Sequence, residues 1–252
     1  MIKKIINALL LVPLFTASLA YAAGEHVHLD RAPVDLTDYA SLQRGAKLFV
    51  NYCLNCHSAN YMRYNRLTDI GLSEKEILDN LVFSGGKVGD LMKNTMAPNE
   101  SKVWFGTPPP DLTVIARSRA SGDGSGADWL YTYLRTFYRD PARPTGWNNS
   151  TFPNVGMPHV LWELQGEQEM KPTQVRADGF MATTEKPVLV KPGKLSALEY
   201  DRAVADLVNY LEYMGEPAAQ SRKTIGMIVL AFLSGLIFLV YALKKEFWKD
   251  VH

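Results

Sequence analysis

Cysteine is almost missing from this sequence: there are two among 252 residues, Cys53 and Cys56. A pair cannot supply a disulfide framework, so the fold has to be held by its core and by whatever the core binds. Nor is there a second Cys pair to complete the four ligands of a structural zinc site. A thioredoxin-like dithiol lacks its βαβ surroundings. Charge of one sign is lacking too: Lys and Arg number 27, Asp and Glu 26, and the formal net charge is +1. Nothing in that balance points to a nucleic-acid partner. The glycine-rich stretch 122–126 follows no strand and ends in no lysine, so it reads as a connector rather than a phosphate cradle.

The two cysteines stand in Cys53-Leu54-Asn55-Cys56-His57. On a helical turn, residues i and i+3 share a face, so both sulfurs reach the two vinyl groups of one porphyrin. His57 then projects toward the ring centre, where an imidazole nitrogen ligates iron. A redox dithiol has no need of the adjoining histidine. The motif reads as the attachment site of one covalently bound haem c.

Both ends of the chain are apolar. Lys3 and Lys4 precede an uncharged run over 5–19, and Ala20-Tyr21-Ala22 offers the small-x-small pattern of a cleavage site. Residues 1–22 are therefore expected to be a cleaved signal peptide, its apolar part being shorter than the roughly 20 residues that span a bilayer. The stretch 225–243 is uncharged and long enough to cross. Arg222 and Lys223 flank it on one side and Lys244, Lys245 and Lys249 on the other, with Tyr241 and Trp248 suited to the headgroup zone. The expected organisation is a haem domain over 23–221 and an anchor with a short tail over 222–252, ending at His252. In a bacterium this puts the haem domain in the periplasm and the single-pass anchor in the inner membrane.

Between those ends, residues 25–37 read as an extended arm in which His26 and His28 are solvated. Apolar positions at three- and four-residue spacing predict a helix from Tyr39 that delivers the haem motif, with Gly45 marking a close crossing with another helix. Ser73-Glu74-Lys75-Glu76 opens a short helix that ends at Ser84-Gly85-Gly86, and 84–111 reads as loop. Asp111 and Asp128 are expected to N-cap two further helices. Residues 139–158 read as irregular, 161–168 as a short strand or turn, and 170–194 as an exposed hairpin or loop. Ser196 caps an amphipathic helix whose stripe runs from Ala203 to Met214, with the Gly45 helix as its partner.

A low-spin haem takes a sixth ligand, and a thioether favours the reduced iron. Met157, between Gly156 and Pro158, and Met96, before Ala97-Pro98, both offer a methionine on a loop after the histidine. The residues alone leave the two open. Arg117 and Arg119 are candidates to pair with a haem propionate. His159 is the residue that would matter if the sixth site were open, as in a haem enzyme or gas sensor.

Taken together, these residues resemble the cytochrome c1 family, the haem-c subunit of quinol–cytochrome c reductase (the cytochrome bc1 complex). The resemblance rests on Arg44-Gly45 ahead of the haem motif, Tyr61 and Tyr64 after it, Pro109-Pro110-Asp111-Leu112-Thr113, Arg117-Ser118-Arg119 and Gly156-Met157-Pro158. It continues through the helix ending at Glu216-Pro217 to the single anchor. It implies a mainly α, class I cytochrome c-like haem domain with loop insertions plus one C-terminal transmembrane helix. It implies His57 and Met157 as axial ligands, Arg119 near a propionate, Pro109 and Pro110 packed by the ring, and Trp129 at its edge. The implied partners are cytochrome b, a Rieske iron–sulfur protein and a c-type cytochrome acceptor in a dimeric complex. Such a chain is no enzyme on its own. A subunit of a terminal oxidase and a free anchored carrier are the alternatives.

Overall fold

The structure is a computed structural model that describes residues 28–83, 86–177 and 180–250. The expected signal peptide, His26, the helix end at Ser84 and Gly85, and the terminal His252 lie outside the described residues.

Helix α1, Tyr39–Leu48, begins where the Asp38 carboxylate accepts the Ser41 N–H at 2.9 Å. It runs on into a π turn, Phe49–Cys53, closed by Leu54 N–H donating to the Phe49 carbonyl at 3.0 Å. The extra residue in that turn re-aims the chain just before the two cysteines, a common use of π bulges. Strand β1 (Ala59–Arg63) pairs antiparallel with β2 (Leu91–Met92) across a 3-10 turn, Tyr64–Ile70, and helix α2, Glu74–Leu81. Ser73 and Glu76 form the expected capping box.

The stretch 84–111 is not all loop. Besides β2 it holds helix α3, Pro98–Phe105, with Pro98 at the helix start, where the missing N–H costs nothing, and Gly106 closing it at φ +78°. Asp111 is not an N-cap: it accepts the Thr113 N–H at 2.8 Å and the Asn60 N–H at 2.7 Å, tying its loop to β1. Helix α4, Ile115–Ser118, starts later. Helix α5, Gly126–Arg135, is capped by Ser125, with Asp128 as the reciprocal partner three residues on. The capping box has simply moved the start upstream of the expected cap.

Within 139–158, β4 (Trp147–Asn149) pairs with β3 (Phe137–Arg139). A short helix α6, Trp162–Gln165, leads to the hairpin of β5 (Gly166–Ala177) and β6 (Phe180–Pro192). Last come α7, Ala197–Gly215, with a Ser196/Glu199 capping box, and α8, Ala219–Phe247. Close to half of the described residues are helical, and three small antiparallel sheets complete the elements among them, so "mainly α" overstates the helix content.

The core forms where α7 crosses α1. Val204, Leu207, Val208, Leu211 and Met214 bury the α7 stripe against Leu42, Ala46 and Phe49, all at most 3% exposed. The Phe49 and Tyr210 rings meet at 5.6 Å. Arg44 clamps Asp206 through two N–H donors at 2.6 and 2.9 Å. In the crossing sits Gly45, where a Cβ would lie 2.1 Å from the Asp206 carbonyl oxygen and 2.7 Å from Tyr210 Cβ. No other residue allows that approach.

Helix α8 has a mean hydropathy of 2.5 in its most apolar window, none of it buried against the rest of the chain. Its 29 residues give about 43 Å at about 1.5 Å per residue, enough to cross a bilayer. At its foot Glu216 accepts from Arg222 at 2.5 Å and from Arg117 at 3.2 Å, linking α8 to the domain. Gly45→Ala should lower stability by about 3 kcal/mol or more through overpacking at the crossing. Gly89→Ala, where a Cβ meets nothing within 4 Å, should leave it unchanged. Denaturant midpoints of the two variants check this.

Candidate haem-binding site

Cys53 ends the π turn, and the next turn closes with Cys56 N–H and His57 N–H both donating to the Cys53 carbonyl, at 3.1 and 2.8 Å. All three side chains line one cavity of about 380 Å³. His57 Nδ1 lies 2.8 Å from the Pro110 carbonyl oxygen. A carbonyl only accepts, so Nδ1 carries the proton and Nε2 keeps its lone pair for a metal. Burial lowers the imidazole pKa, the Pro110 bond opposing it less strongly, which favours the neutral ligand form. Burial also pushes the Cys53 thiol up to about 12 and raises that of Cys56. Neither is a ready thiolate, which argues against a redox dithiol.

The segment carrying these groups is held on both sides. Asn94 donates its amide to the Cys56 carbonyl at 2.5 Å and its backbone N–H to Ser58 Oγ at 3.1 Å. Leu112 N–H donates to the Ser58 carbonyl at 2.9 Å, which sets the 108–110 proline run alongside. Pro109 and Pro110 line the cavity with apolar rings that have no N–H to satisfy.

A second wall is built by α5 and the loop after β4. Trp129 and Tyr133 line the cavity stacked on each other, with centroids 4.8 Å apart and planes at 14°. Arg119 also lines it, its Cζ 4.4 Å from the Trp129 ring and 5.5 Å from that of Phe152. Met157 lines it from the loop, and its Sδ accepts a hydrogen bond from the Tyr133 hydroxyl at 3.3 Å.

Asparagines fix that loop. Asn149, fully buried, donates to the Tyr133 carbonyl at 2.7 Å and accepts the N–H groups of Thr151 and Phe152 at 2.9 and 3.0 Å. Asn148 accepts the Asn154 N–H at 2.8 Å, and Asn154 takes φ +64°, a turn that asparagine tolerates. A Cβ on Gly156 would sit 2.9 Å from the Phe105 carbonyl oxygen, so the loop runs against the end of α3.

Of the residues singled out in the sequence, Cys53, Cys56, His57, Pro109, Pro110, Arg119, Trp129 and Met157 share this cavity. Arg117 and Met96 do not line it; Arg117 is drawn to Glu216 instead. His159 is buried outside it, stacked on Phe137 at 4.8 Å and against Trp147 at 5.0 Å, and burial lowers its pKa to about 4. It is a core histidine. Tyr133, Asn94 and Asn149 escaped sequence reading. The Asn148-Asn149 doublet beside Trp147 was the available signal, since polar pairs buried beside aromatics organise loops.

Among the described residues no group of three or more His, Cys, Asp or Glu is placed to hold a bare metal ion. The donor set instead fits a haem: two thiols on one turn, an imidazole with Nδ1 engaged, and a thioether in the same largely apolar cavity. Asn149→Ala should cost about 2–4 kcal/mol by leaving buried backbone groups unpaired. It should also speed proteolysis within 150–158, which limited digestion followed by mass analysis reads directly.

The family model for the cytochrome C1 family matches residues 30–186 and 193–251. A protein of Allochromatium vinosum named cytochrome c1 is 49% identical over 251 residues, covering 99% of this chain and 100% of that protein. One of Nitrosomonas europaea named ammonia monooxygenase gamma subunit is 52% identical over 252 residues, covering 100% of this chain and 99% of that one. Cytochrome c1 of Rhodospirillum rubrum is 27% identical over 235 residues, covering 85% and 83%. Matched over nearly its whole length, this chain belongs to the cytochrome c1 family and is a haem-c electron-transfer subunit.

Proposed function

We propose that this chain is the single-haem subunit of a respiratory quinol–cytochrome c reductase (bc1) complex, taking electrons one at a time from a Rieske iron–sulfur protein and passing them to a c-type cytochrome. The observation that carries this reading is the pairing in one cavity of a His57 imidazole oriented by Pro110 with the Met157 thioether. The haem supplies the one-electron redox couple. No substrate bond is made or broken, so the chain is an electron-transfer subunit rather than an enzyme by itself.

Each residue has a defined task. Cys53 and Cys56 fix the group covalently through their sulfurs. His57 Nε2 and Met157 Sδ would hold the iron. Arg119 supplies the cation for a propionate, a charge-assisted contact for which Arg117, already engaged by Glu216, is not free. Pro109, Pro110 and Trp129 wall the ring and keep water away. Ligands held this firmly move little between oxidation states.

The domain reads as a class I cytochrome c core enlarged by the 84–111 segment and the β5–β6 hairpin. Residues 1–22 are its cleaved signal, 23–221 the periplasmic part, and α8 its single crossing of the bacterial inner membrane. Lys244, Lys245 and Lys249 then lie on the cytoplasmic side. Anchoring beside cytochrome b, in a dimeric complex, turns the search for redox partners into a local one.

Optical spectra of the haem-loaded protein test the ligand set. The wild type should show the weak far-red sulfur-to-iron band and ignore carbon monoxide, whereas Met157→Leu should lose the band and bind the gas. A band retained in Met157→Leu refutes the assignment. Purification from membranes tests the complex: cytochrome b and an iron–sulfur protein should accompany the chain. Recovery with a terminal oxidase or a monooxygenase instead would overturn that part of the reading.

A further inference from the structure

His159 is polar, 2% exposed and lines no part of the haem cavity. Its imidazole stacks on Phe137 with planes at 6° and meets Trp147 edge-on at 79°. Arg139 adds its guanidinium, Cζ 3.9 Å from the Trp147 ring centroid. The His159 carbonyl accepts the Trp162 N–H at 3.3 Å, tying the main chain to the start of α6. Stacking accounts for a ring at this position but not for its nitrogens, since a phenylalanine would stack as well.

The nitrogens have a counterpart on α6. His159 Nε2 and Gln165 Oε1 are both closed off from solvent and without a direct partner, and Gln165 is only 9% exposed. The Gln165 side chain stands where it acts on the imidazole as a hydrogen-bonding group. A neutral imidazole has one N–H, and placing it on Nε2 satisfies both buried atoms at once. At its other end Gln165 donates to the Arg135 carbonyl at 2.9 Å, at the last residue of α5. The connection therefore ends on the helix that carries Trp129 and Tyr133. Two residues before His159 stands Met157. Pro158 lies between them with its φ fixed by the ring, so little freedom separates the two. Asn148 and Asn149 hold this loop from its N-terminal side. His159 is the hold on the other.

We propose that His159 is a positioning residue: packed on Phe137 and Trp147 and hydrogen-bonded to Gln165, it pins the C-terminal end of the Met157 loop and keeps competing ligands out of the site. This rests on Met157 being the sixth ligand. Imidazole added to the oxidised, haem-loaded full chain reads it, because its uptake rate at saturating concentration is the rate at which the Met157 loop opens. His159→Phe keeps the stack and loses the N–H. Its limiting rate should rise about tenfold, the size of change expected when one buried acceptor loses its donor. The far-red band before imidazole is added should be that of the wild type. Gln165→Leu should speed opening too, and the double variant should be no faster than the faster single one. Tyr213→Phe loses a hydrogen bond to the Arg66 carbonyl, 2.7 Å long, in another part of the core. It should lower the unfolding midpoint and leave the opening rate unchanged. A limiting rate unmoved in His159→Phe, an equal rise in Tyr213→Phe, or effects of the two loop variants that multiply overturns the proposal. Should His159→Phe fail to fold, an unmoved rate in Gln165→Leu overturns it equally. The Met157→Leu spectrum separates this failure from that of the ligand assignment. A band retained there removes the assignment and this inference with it. A band lost there, beside an unmoved His159→Phe rate, removes this inference alone.

Discussion

The contact on which the rest depends is the crossing of α1 and α7 at Gly45. With a Cβ excluded at 2.1 Å from the Asp206 carbonyl oxygen, the two helix backbones pack closer than side chains would allow. The bidentate Arg44–Asp206 pair and the Phe49–Tyr210 rings then fix their register. Because α1 flows directly into the π turn at Phe49–Cys53, its placement decides where both thiols and His57 arrive. The haem motif is a short local signal. The crossing gives it a position in space.

The second half of the site comes from distant parts of the chain and is joined by polar groups rather than by the core. Pro110 reaches back to His57 over 53 positions, and Asn149 knits α5 to the loop that presents Met157. Each of these bonds is buried or partly buried, where a satisfied network is rigid and a broken one is costly. Rigidity here suits the proposed electron transfer, since a site that stays in place would keep the two oxidation states alike. The Glu216 contacts to Arg117 and Arg222 carry the same logic to the foot of α8, where the long apolar helix would otherwise hang from a single peptide link.

Much of this was legible beforehand, for reasons tied to local chemistry. The capping boxes at Ser73 and Ser196, the apolar stripe of α7, the Gly45 crossing and the apolar run of α8 are each written in neighbouring residues. The π turn was not, because it alters hydrogen bonding without altering periodicity. Helix α3 was hidden by the glycines, prolines and asparagines around it, and Ser125 took the capping role expected of Asp128. That Met157 rather than Met96 lines the cavity could not be read from loop composition, since each stands within two residues of a proline. It depends on which loop the Asn148-Asn149 doublet gathers toward α5, a three-dimensional fact. Arg117 and Arg119 looked equivalent until Glu216 was seen to hold one of them.

The central claim is that the turn from Cys53 to His57 carries one covalently bound haem in the cavity shared with Met157. Its most direct test is the intact mass of the chain, purified from its native membrane and fully denatured, read beside the absorption spectrum of the denatured haem in pyridine. The account predicts a single mass that includes one haem, with the spectrum of a ring bound through two thioether links, and no haem on the chain when both cysteines are replaced by serine. A chain that denatures to the bare polypeptide mass, or one that keeps its haem without Cys53 and Cys56, would contradict it.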